Sequence, residues 1–251
     1  MTKLCIALGM LAACGSSGSK NPGGTTDAPG GGSDSGNKVY LDAPGNVPAT
    51  ITVSGNAAEQ GLGSSTPQAG VAIAAYAPSD ETTALATATT DAQGNYTLAI
   101  TTHGAPVDLF VKASKASYMD TYLYPAAPLV ADTPMSDVNM ITPSNFSSLS
   151  TFAGGNQMSG KGVIALAVLD GSGMPVTGAT VSSDPASNPY RYDGSGGIPS
   201  STATSTSSDG YAYMFNVPGQ VTITASKSGA TFKSHAVDAH PDAFTQTVVT
   251  E

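Results

Sequence analysis

An internal repeat of short segments, in which apolar and polar residues alternate, divides most of this chain into two similar halves. Three pairs of segments match in the same order: 67–73 with 175–181, 90–96 with 208–211, and 109–115 with 221–227. The turn in the second pair is two residues shorter in the later copy. Alternation with a period of two is typical of β-strands that have one buried face. The repeat therefore predicts two homologous modules built from β-structure.

The turns of both modules carry residues that favour β-hairpins. Gly94 and Gly210 follow aspartates closely, and we expect both at or beside positive-φ positions in equivalent hairpins. Tyr96 and Tyr211 would then begin the return strands. The predicted strands are 49–54, 70–77, 82–90, 95–101, 107–113, 117–124 and 135–141 in the first module, and 161–170, 179–183, 189–193, 201–207, 211–216, 220–227, 230–237 and 244–250 in the second. About seven short strands in each module are typical of a β-sandwich.

The order of these motifs resembles the carboxypeptidase regulatory-like domain. The shared pattern is Pro-x-x-Gly before an alternating run, then Asp with Gly and Tyr, then a second alternating strand, and it covers most of both modules. The resemblance implies an all-β chain of two tandem seven-stranded transthyretin-like Greek-key sandwiches, at 49–142 and 160–251. It also implies an accessory rather than a catalytic role. The stretch 184–200 lengthens the second module and leaves its strand pairing uncertain.

A short connector helix is predicted at 143–159, between the modules. Thr142 can cap its first turn, Pro143 suits the first helical position, and Gly154-Gly155 would end it. An apolar stripe is expected from Phe146, Leu149 and Phe152. This stripe favours packing on a sandwich, and the alternative is a helix that binds a partner.

The N-terminus carries Leu11-Ala12-Ala13-Cys14 after a short apolar run that follows Lys3. The run is shorter than the roughly 20 residues that span a bilayer. The motif resembles the lipobox of bacterial lipoproteins, which implies a signal peptide at 1–13 and a lipid on Cys14; an ordinary signal peptide is the alternative. Gly15, where Asp would favour the inner membrane in such lipoproteins, implies delivery to the outer membrane. Residues 14–48, rich in Gly and Ser, are predicted to form a flexible tether.

Composition excludes several classes of partner. The chain has a net charge of −9 and a single arginine, so no basic stripe is available for nucleic acid. Cys5 would leave with the signal peptide and Cys14 would carry the lipid, so we expect no disulfide. Each module must then be held by its own core, and the protein is predicted to be a monomer that is anchored to the membrane.

Catalytic and metal-binding patterns are not found. A zinc carboxypeptidase needs His-x-x-Glu, but Pro106 stands at that place after His103 and Asp238 after His235. His235 and His240 are read as ordinary histidines, and Asp91 and Asp209 as turn residues without enough further oxygen ligands for calcium. We therefore predict no enzyme, no cofactor and no metal, with an undetected hydrolase as a distant alternative.

Tyrosines provide the one suggestive surface. Two predicted strands each place aromatic side chains on one face, beside a carboxylate in the first case; the candidate ligand-binding residues are Tyr118, Asp120, Tyr122, Tyr124, Tyr190 and Tyr192. Aromatic faces beside carboxylates can bind sugars, whereas packing in a half-buried sheet is the alternative explanation. The sequence thus predicts a non-catalytic, lipid-anchored protein of the cell envelope with structural or protein-interaction roles. A module that binds carbohydrate or cell wall is the alternative.

Overall fold

The computed structural model describes residues 47–61, 64–194 and 197–251. Cys14, the predicted signal peptide and all but the last two residues of the predicted tether lie outside these residues. Within the described ranges, no helix combines the length and the apolar character that crossing a membrane requires.

The described chain is all-β with one helix, and it forms tandem β-sandwiches as predicted. The first half contains β1 (Thr50–Gly61), β2 (Ser64–Pro67), β3 (Ala72–Tyr76), β4 (Ala86–Thr89), β5 (Asn95–Thr101), β6 (Phe110–Ser114), β7 (Thr121–Tyr124) and β8 (Val138–Met140). After α1 (Pro143–Ala153) come β9 (Gly162–Leu169), β10 (Thr180–Asp184), β11 (Tyr190–Asp193), β12 (Pro199–Ser200), β13 (Tyr211–Val217), β14 (Gln220–Ser226), β15 (His235–Asp238) and β16 (Phe244–Thr250). Strand β2 was not predicted, and the predicted strand at 201–207 is wrong, because that segment is irregular.

A single nine-stranded sheet runs through both halves. Its order is β12-β11-β13-β9-β16-β7-β6-β3-β4. The last strand, β16, is parallel both to β9 of its own half and to β7 of the first half. The sequence predicts two modules with separate cores, whereas the structure joins them through this strand.

Smaller sheets cover the two faces of the long sheet at different places. Strands β2, β1, β5 and β8 pack over the first half and enclose the first core, whose buried members include Ile51, Ile73, Leu98, Ile100, Val111 and Leu123. Strands β10, β14 and β15 pack over the opposite face. They enclose the junction core, which contains Ile164, Leu166, Met214, Val221 and Ile223 of the second half together with Phe110, Tyr122 and Tyr124 of the first. The second core is therefore completed by side chains from the first module.

Helix α1 covers the remaining face of the second half. As predicted, the Thr142 hydroxyl accepts a hydrogen bond from the Asn145 N–H, and Gly154 ends the helix in the left-handed conformation. The predicted stripe is wrong at its last member, since Phe152 is 56% exposed and Ala153 is buried instead. At 3.6 residues per turn, the residue seven positions after Phe146 returns to its face, whereas the sixth does not.

The internal repeat is also present in the hydrogen bonds. Thr90 and Thr206 are both buried, and each hydroxyl donates to one carbonyl and accepts from one N–H. The partners are Gln68 O at 2.6 Å and Val71 N at 2.9 Å for Thr90, and Val176 O at 2.6 Å and Ala179 N at 2.9 Å for Thr206. Thr206, and not Ser208, is therefore the equivalent of Thr90, and the two turns have the same length. The predicted two-residue difference is wrong because the match followed Asp rather than the buried threonine.

Candidate functional site

The tyrosines predicted from β7 do not form one surface. Tyr122 and Tyr124 point into the junction core and are only 7% and 5% exposed. Tyr118 precedes β7, packs against the first core on the other face, and donates to a Glu59 carboxylate oxygen at 2.6 Å. Asp120 lies just before the strand and forms an ion pair with Lys112 at 2.8 Å. Most of the ring area expected to meet a ligand is therefore covered by protein.

The tyrosines of β11 join two sheets. The Tyr192 hydroxyl accepts from the Val181 N–H at 3.0 Å, and the Tyr190 hydroxyl accepts from the Ser183 N–H at 3.1 Å. Both acceptors therefore satisfy backbone donors of β10, in the sheet that faces them. These hydrogen bonds support a structural role for both tyrosines. A role in glycan binding stays a prediction.

Aromatic side chains from both halves meet at the junction. Phe110 stacks on Tyr76 and Tyr124, with ring centroids 5.6 and 5.1 Å apart. His240, which follows β15, stacks on Tyr122 with centroids 3.8 Å apart and planes at 14°. The imidazole of the second half is thereby held against an aromatic wall that belongs to the first.

Two carboxylates share this junction with His240. Glu81 lies between β3 and β4, and its Oε1 is 3.5 Å from the His240 Nε2. Asp238 is the last residue of β15, and one ligand atom from each of Glu81, Asp238 and His240 lies within 4.8 Å of the others. We call these three residues the junction triad. The sequence places His240 near His235 only, and no sequence spacing links it to Glu81 in the other half of the chain.

A groove lies beside α1. It has a volume of about 550 Å³ and is lined by both apolar and polar groups, among them Met119, Phe146, Met158, Lys161 and Asp242. Met158 is 54% exposed. The Gln157 side chain crosses the base of the neighbouring loop by donating to the carbonyls of Lys161 and Gly162. The polar wall of the groove thus stabilises the loop beside it.

Two buried titratable groups lie elsewhere in the second half. Asp193 is 2% exposed, and burial, followed by the nearby Asp209 carboxylate, raises its pKa to about 7. Neither of its carboxylate oxygens has a hydrogen-bond partner among the described residues. Burial lowers the pKa of His235 to about 4. Both groups therefore favour their neutral forms in the folded protein.

No protein-family model matches this chain, and no curated protein is significantly similar to it. Several solved structures align with about four fifths of the chain. They include the minor pilin GBS52 of Streptococcus agalactiae, with 14% identity, a TM-score of 0.26, and coverage of 80% of this chain and 96% of that one. The shaft pilin spaA of Lactobacillus rhamnosus GG aligns with 12% identity, a TM-score of 0.25 and coverage of 80% and 97%. The Bacillus anthracis TIE protein aligns with 10% identity and a TM-score of 0.26 over 80% of this chain, which spans about a third (34%) of its length.

Proposed function

We propose that this chain is a non-catalytic protein of the cell envelope, anchored by a lipid on Cys14, whose two β-sandwiches form one rigid body with a structural or protein-interaction role. The observation that carries the proposal is the insertion of β16 between β9 and β7. Enzymes that close two domains around a substrate need a hinge between them. A shared sheet and a shared core instead favour a fixed arrangement of surfaces.

The membrane anchor follows from the lipobox-like residues before Cys14. A diacylglyceryl group with an additional amide-linked chain gives more than one buried acyl chain, which holds a protein stably at a bilayer. The 14–48 tether would span roughly 30–35 Å if it is a flexible coil, because Gly-rich chains extend with the square root of their length. The sandwiches would therefore be displayed away from the lipid surface, where a neighbouring envelope protein can contact them. We propose the outer membrane as their location, because Gly15 and not Asp follows Cys14.

The use of the tyrosine and threonine side chains supports the non-catalytic part of the proposal. Tyr190, Tyr192, Thr90 and Thr206 all satisfy backbone groups between strands. The assignment of both modules to carboxypeptidase regulatory-like domains rests on the resemblance of their sequence motifs. The matching threonine contacts support the interpretation of the two halves as repeats of one module. Such hydrogen bonds fix strands and add stability, because buried backbone groups without partners are costly.

Anchoring is tested by growing cells with labelled palmitate. We expect label in the wild-type protein and in Cys5→Ala, which serves as the control because its cysteine lies within the signal. Cys14→Ala should take up no label and should leave the membrane fraction. Label in Cys14→Ala would show that the lipid is attached elsewhere and would contradict the anchor.

The fixed arrangement of the halves is tested by a distance measurement between spin labels. Ser79 and Ser228 are exposed residues of the first and second halves, and each can be replaced by Cys in a chain whose own cysteines are replaced by Ala. One narrow distance distribution is expected for a single body. A broad distribution would show that the sandwiches move independently and would contradict the proposal.

A further inference from the structure

The junction triad gathers three metal-ligating side chains from two distant parts of the chain. Glu81 is contributed by the first half, whereas Asp238 and His240 are contributed by the second. Asp238 is held in place by the pairing of β15 with β14, where it lies opposite Gln220. The stacking of His240 on Tyr122 fixes the plane of its imidazole. Two of the three ligands are therefore positioned by the fold before anything binds.

The polar groups of the junction triad are poorly satisfied by the protein itself. The His240 Nε2 is buried and makes no hydrogen bond among the described residues, and its 3.5 Å separation from Glu81 is long for one. Within the same residues, no lysine or arginine forms an ion pair with Glu81 or Asp238. The nearby Lys112 is already paired with Asp120. Two neighbouring carboxylates and a buried nitrogen without a hydrogen bond thus face one another, with no lysine or arginine of the described residues paired to the carboxylates.

The two carboxylates of the junction triad lie close together, because one oxygen of Glu81 is within 4.8 Å of one oxygen of Asp238. Like charges at this distance repel each other. A divalent cation there would offset their mutual repulsion.

We propose that Glu81, Asp238 and His240 bind a divalent transition-metal ion, with zinc preferred, which links the first sandwich to the second. An imidazole nitrogen with two carboxylate oxygens is a ligand set that zinc accepts, whereas calcium and magnesium prefer oxygen ligands alone. Tetrahedral ligands about 2.1 Å from zinc are about 3.4 Å from one another. The Glu81 Oε1 and the His240 Nε2 already have about that spacing at 3.5 Å, and the ligand atom of Asp238 lies within 4.8 Å of both, so its carboxylate must approach by about 1.4 Å at the most. Three protein ligands leave the fourth position to water.

Zinc binding is measured by titrating zinc chloride into the full chain with Cys5→Ser and Cys14→Ser, so that no thiolate competes. The wild-type triad should bind one zinc ion per chain. Glu81→Gln and His240→Gln should each weaken binding at least about tenfold, as loss of a ligand or of its support does in other metal sites. Glu81→Gln is the variant that keeps the fold, because its side chain is partly exposed and its volume is unchanged.

His103→Gln is the matched control, because His103 is exposed in the turn after β5 and lies outside the triad. It should bind zinc as the wild type does. Zinc should also raise the Tm of the wild type and of this control, but not that of Glu81→Gln. The proposal is overturned if zinc does not bind, if either triad variant keeps wild-type affinity, or if magnesium or calcium binds more tightly than zinc.

Discussion

Two glycines of the repeat are required by both conformation and space. Gly94 and Gly210 have φ of +79° and +74°, so the predicted positive-φ positions are confirmed. A Cβ would lie 2.6 Å from the Ala57 carbonyl oxygen at Gly94, and 2.8 Å from the Val168 carbonyl oxygen at Gly210. The same two strand residues also donate to the glycines: the Ala57 N–H donates to the Gly94 carbonyl, and the Val168 N–H donates to the Gly210 carbonyl. Each turn therefore packs directly on a neighbouring strand. The predicted hairpins are wrong, because β4 and β5 belong to different sheets and the segment before Gly210 does not pair with β13.

A substitution at Gly94 should reveal the cost of this close packing. Gly104 is the control, since its φ is +81° but open space surrounds its Cβ position. Gly104→Ala should lower the free energy of unfolding by about 1 kcal/mol, because of the left-handed backbone alone. Gly94→Ala should cost about 1–3 kcal/mol more, because the backbone of Ala57 must also move. Equal losses in urea unfolding would contradict the steric argument.

Asp193 should make stability depend on pH in an unusual direction. The folded protein keeps this carboxyl protonated up to about pH 7, whereas the unfolded chain releases the proton near its ordinary pKa of 3.8. Stability should therefore fall as pH rises from about 4 to about 7, and the penalty should be constant above that range. Asp193→Asn should remove it, with a gain of about 4 kcal/mol at the most at pH 8 that shrinks towards pH 4.

The comparison for Asp193→Asn is Asp184→Asn, at an exposed position on β10. Its effect on unfolding should be small at both pH values. If Asp193→Asn gives the same stability gain at pH 4 and pH 8, the effect does not come from the titration of this carboxyl.

At the scale of an element, the end of α1 is held by hydrogen bonds from a residue that lies outside the helix. The Arg191 Nε donates to the Ala153 carbonyl oxygen at 2.5 Å, and its Nη2 donates to the Gly154 carbonyl oxygen at 3.1 Å. The last carbonyls of a helix lack partners within the helix, and a cation there also interacts favourably with the helix dipole. The single arginine of the chain thus fastens the end of α1 to β11.

Replacing this arginine should loosen the end of α1. Arg191→Met keeps much of the aliphatic stem and should lower the free energy of unfolding by about 1–3 kcal/mol, because hydrogen bonds from a charged donor are lost. Amide exchange should accelerate in the last turn of α1. Lys227→Met, which removes an exposed cation, should change neither quantity by much. Unchanged exchange in Arg191→Met would show that the cap is dispensable.

At the scale of the whole molecule, β16 couples the two halves. The Gln246 side chain on this strand accepts from the Asn139 N–H at 2.9 Å, and the Asn139 side chain accepts from Gln60 at 2.7 Å. This buried chain of amides connects β16, in the nine-stranded sheet, to β8 and β1 in the smaller sheet of the first half. Unfolding one half would therefore expose buried apolar and polar groups of the other.

We expect this coupling to give one thermal transition. Calorimetric and van't Hoff enthalpies of unfolding should agree, as they do for a two-state unit. Gly94→Val, although it lies in the first half, should shift the whole transition to lower temperature. Two resolved transitions, with the later one unaffected by Gly94→Val, would instead support the separate cores expected from the sequence.

Local features were accessible from the sequence because neighbouring residues encode them. The bounds of β5 and β16, the Thr142 cap and the positive-φ glycines depend on alternation, capping and turn chemistry within a few residues. The burial of Thr90 and Thr206 was not predicted, although each threonine precedes its glycine, Gly94 or Gly210, by the same number of residues. Spacing to a turn residue was the better guide to the repeat than the identity of the aspartates.

The association of the two halves was decided by the tertiary structure alone. The aromatic and β-branched residues of β16 predict a strand, but they do not specify which strands pair with it, because backbone hydrogen bonds are the same for any partner. Its place between β9 and β7 carries Phe110, Tyr122 and Tyr124 into the core of the second half. The same placement brings Glu81 to His240, from opposite halves of the chain. The sequence by itself thus determined the β-structure of each half, and the long-range pairing of one strand created the junction between them.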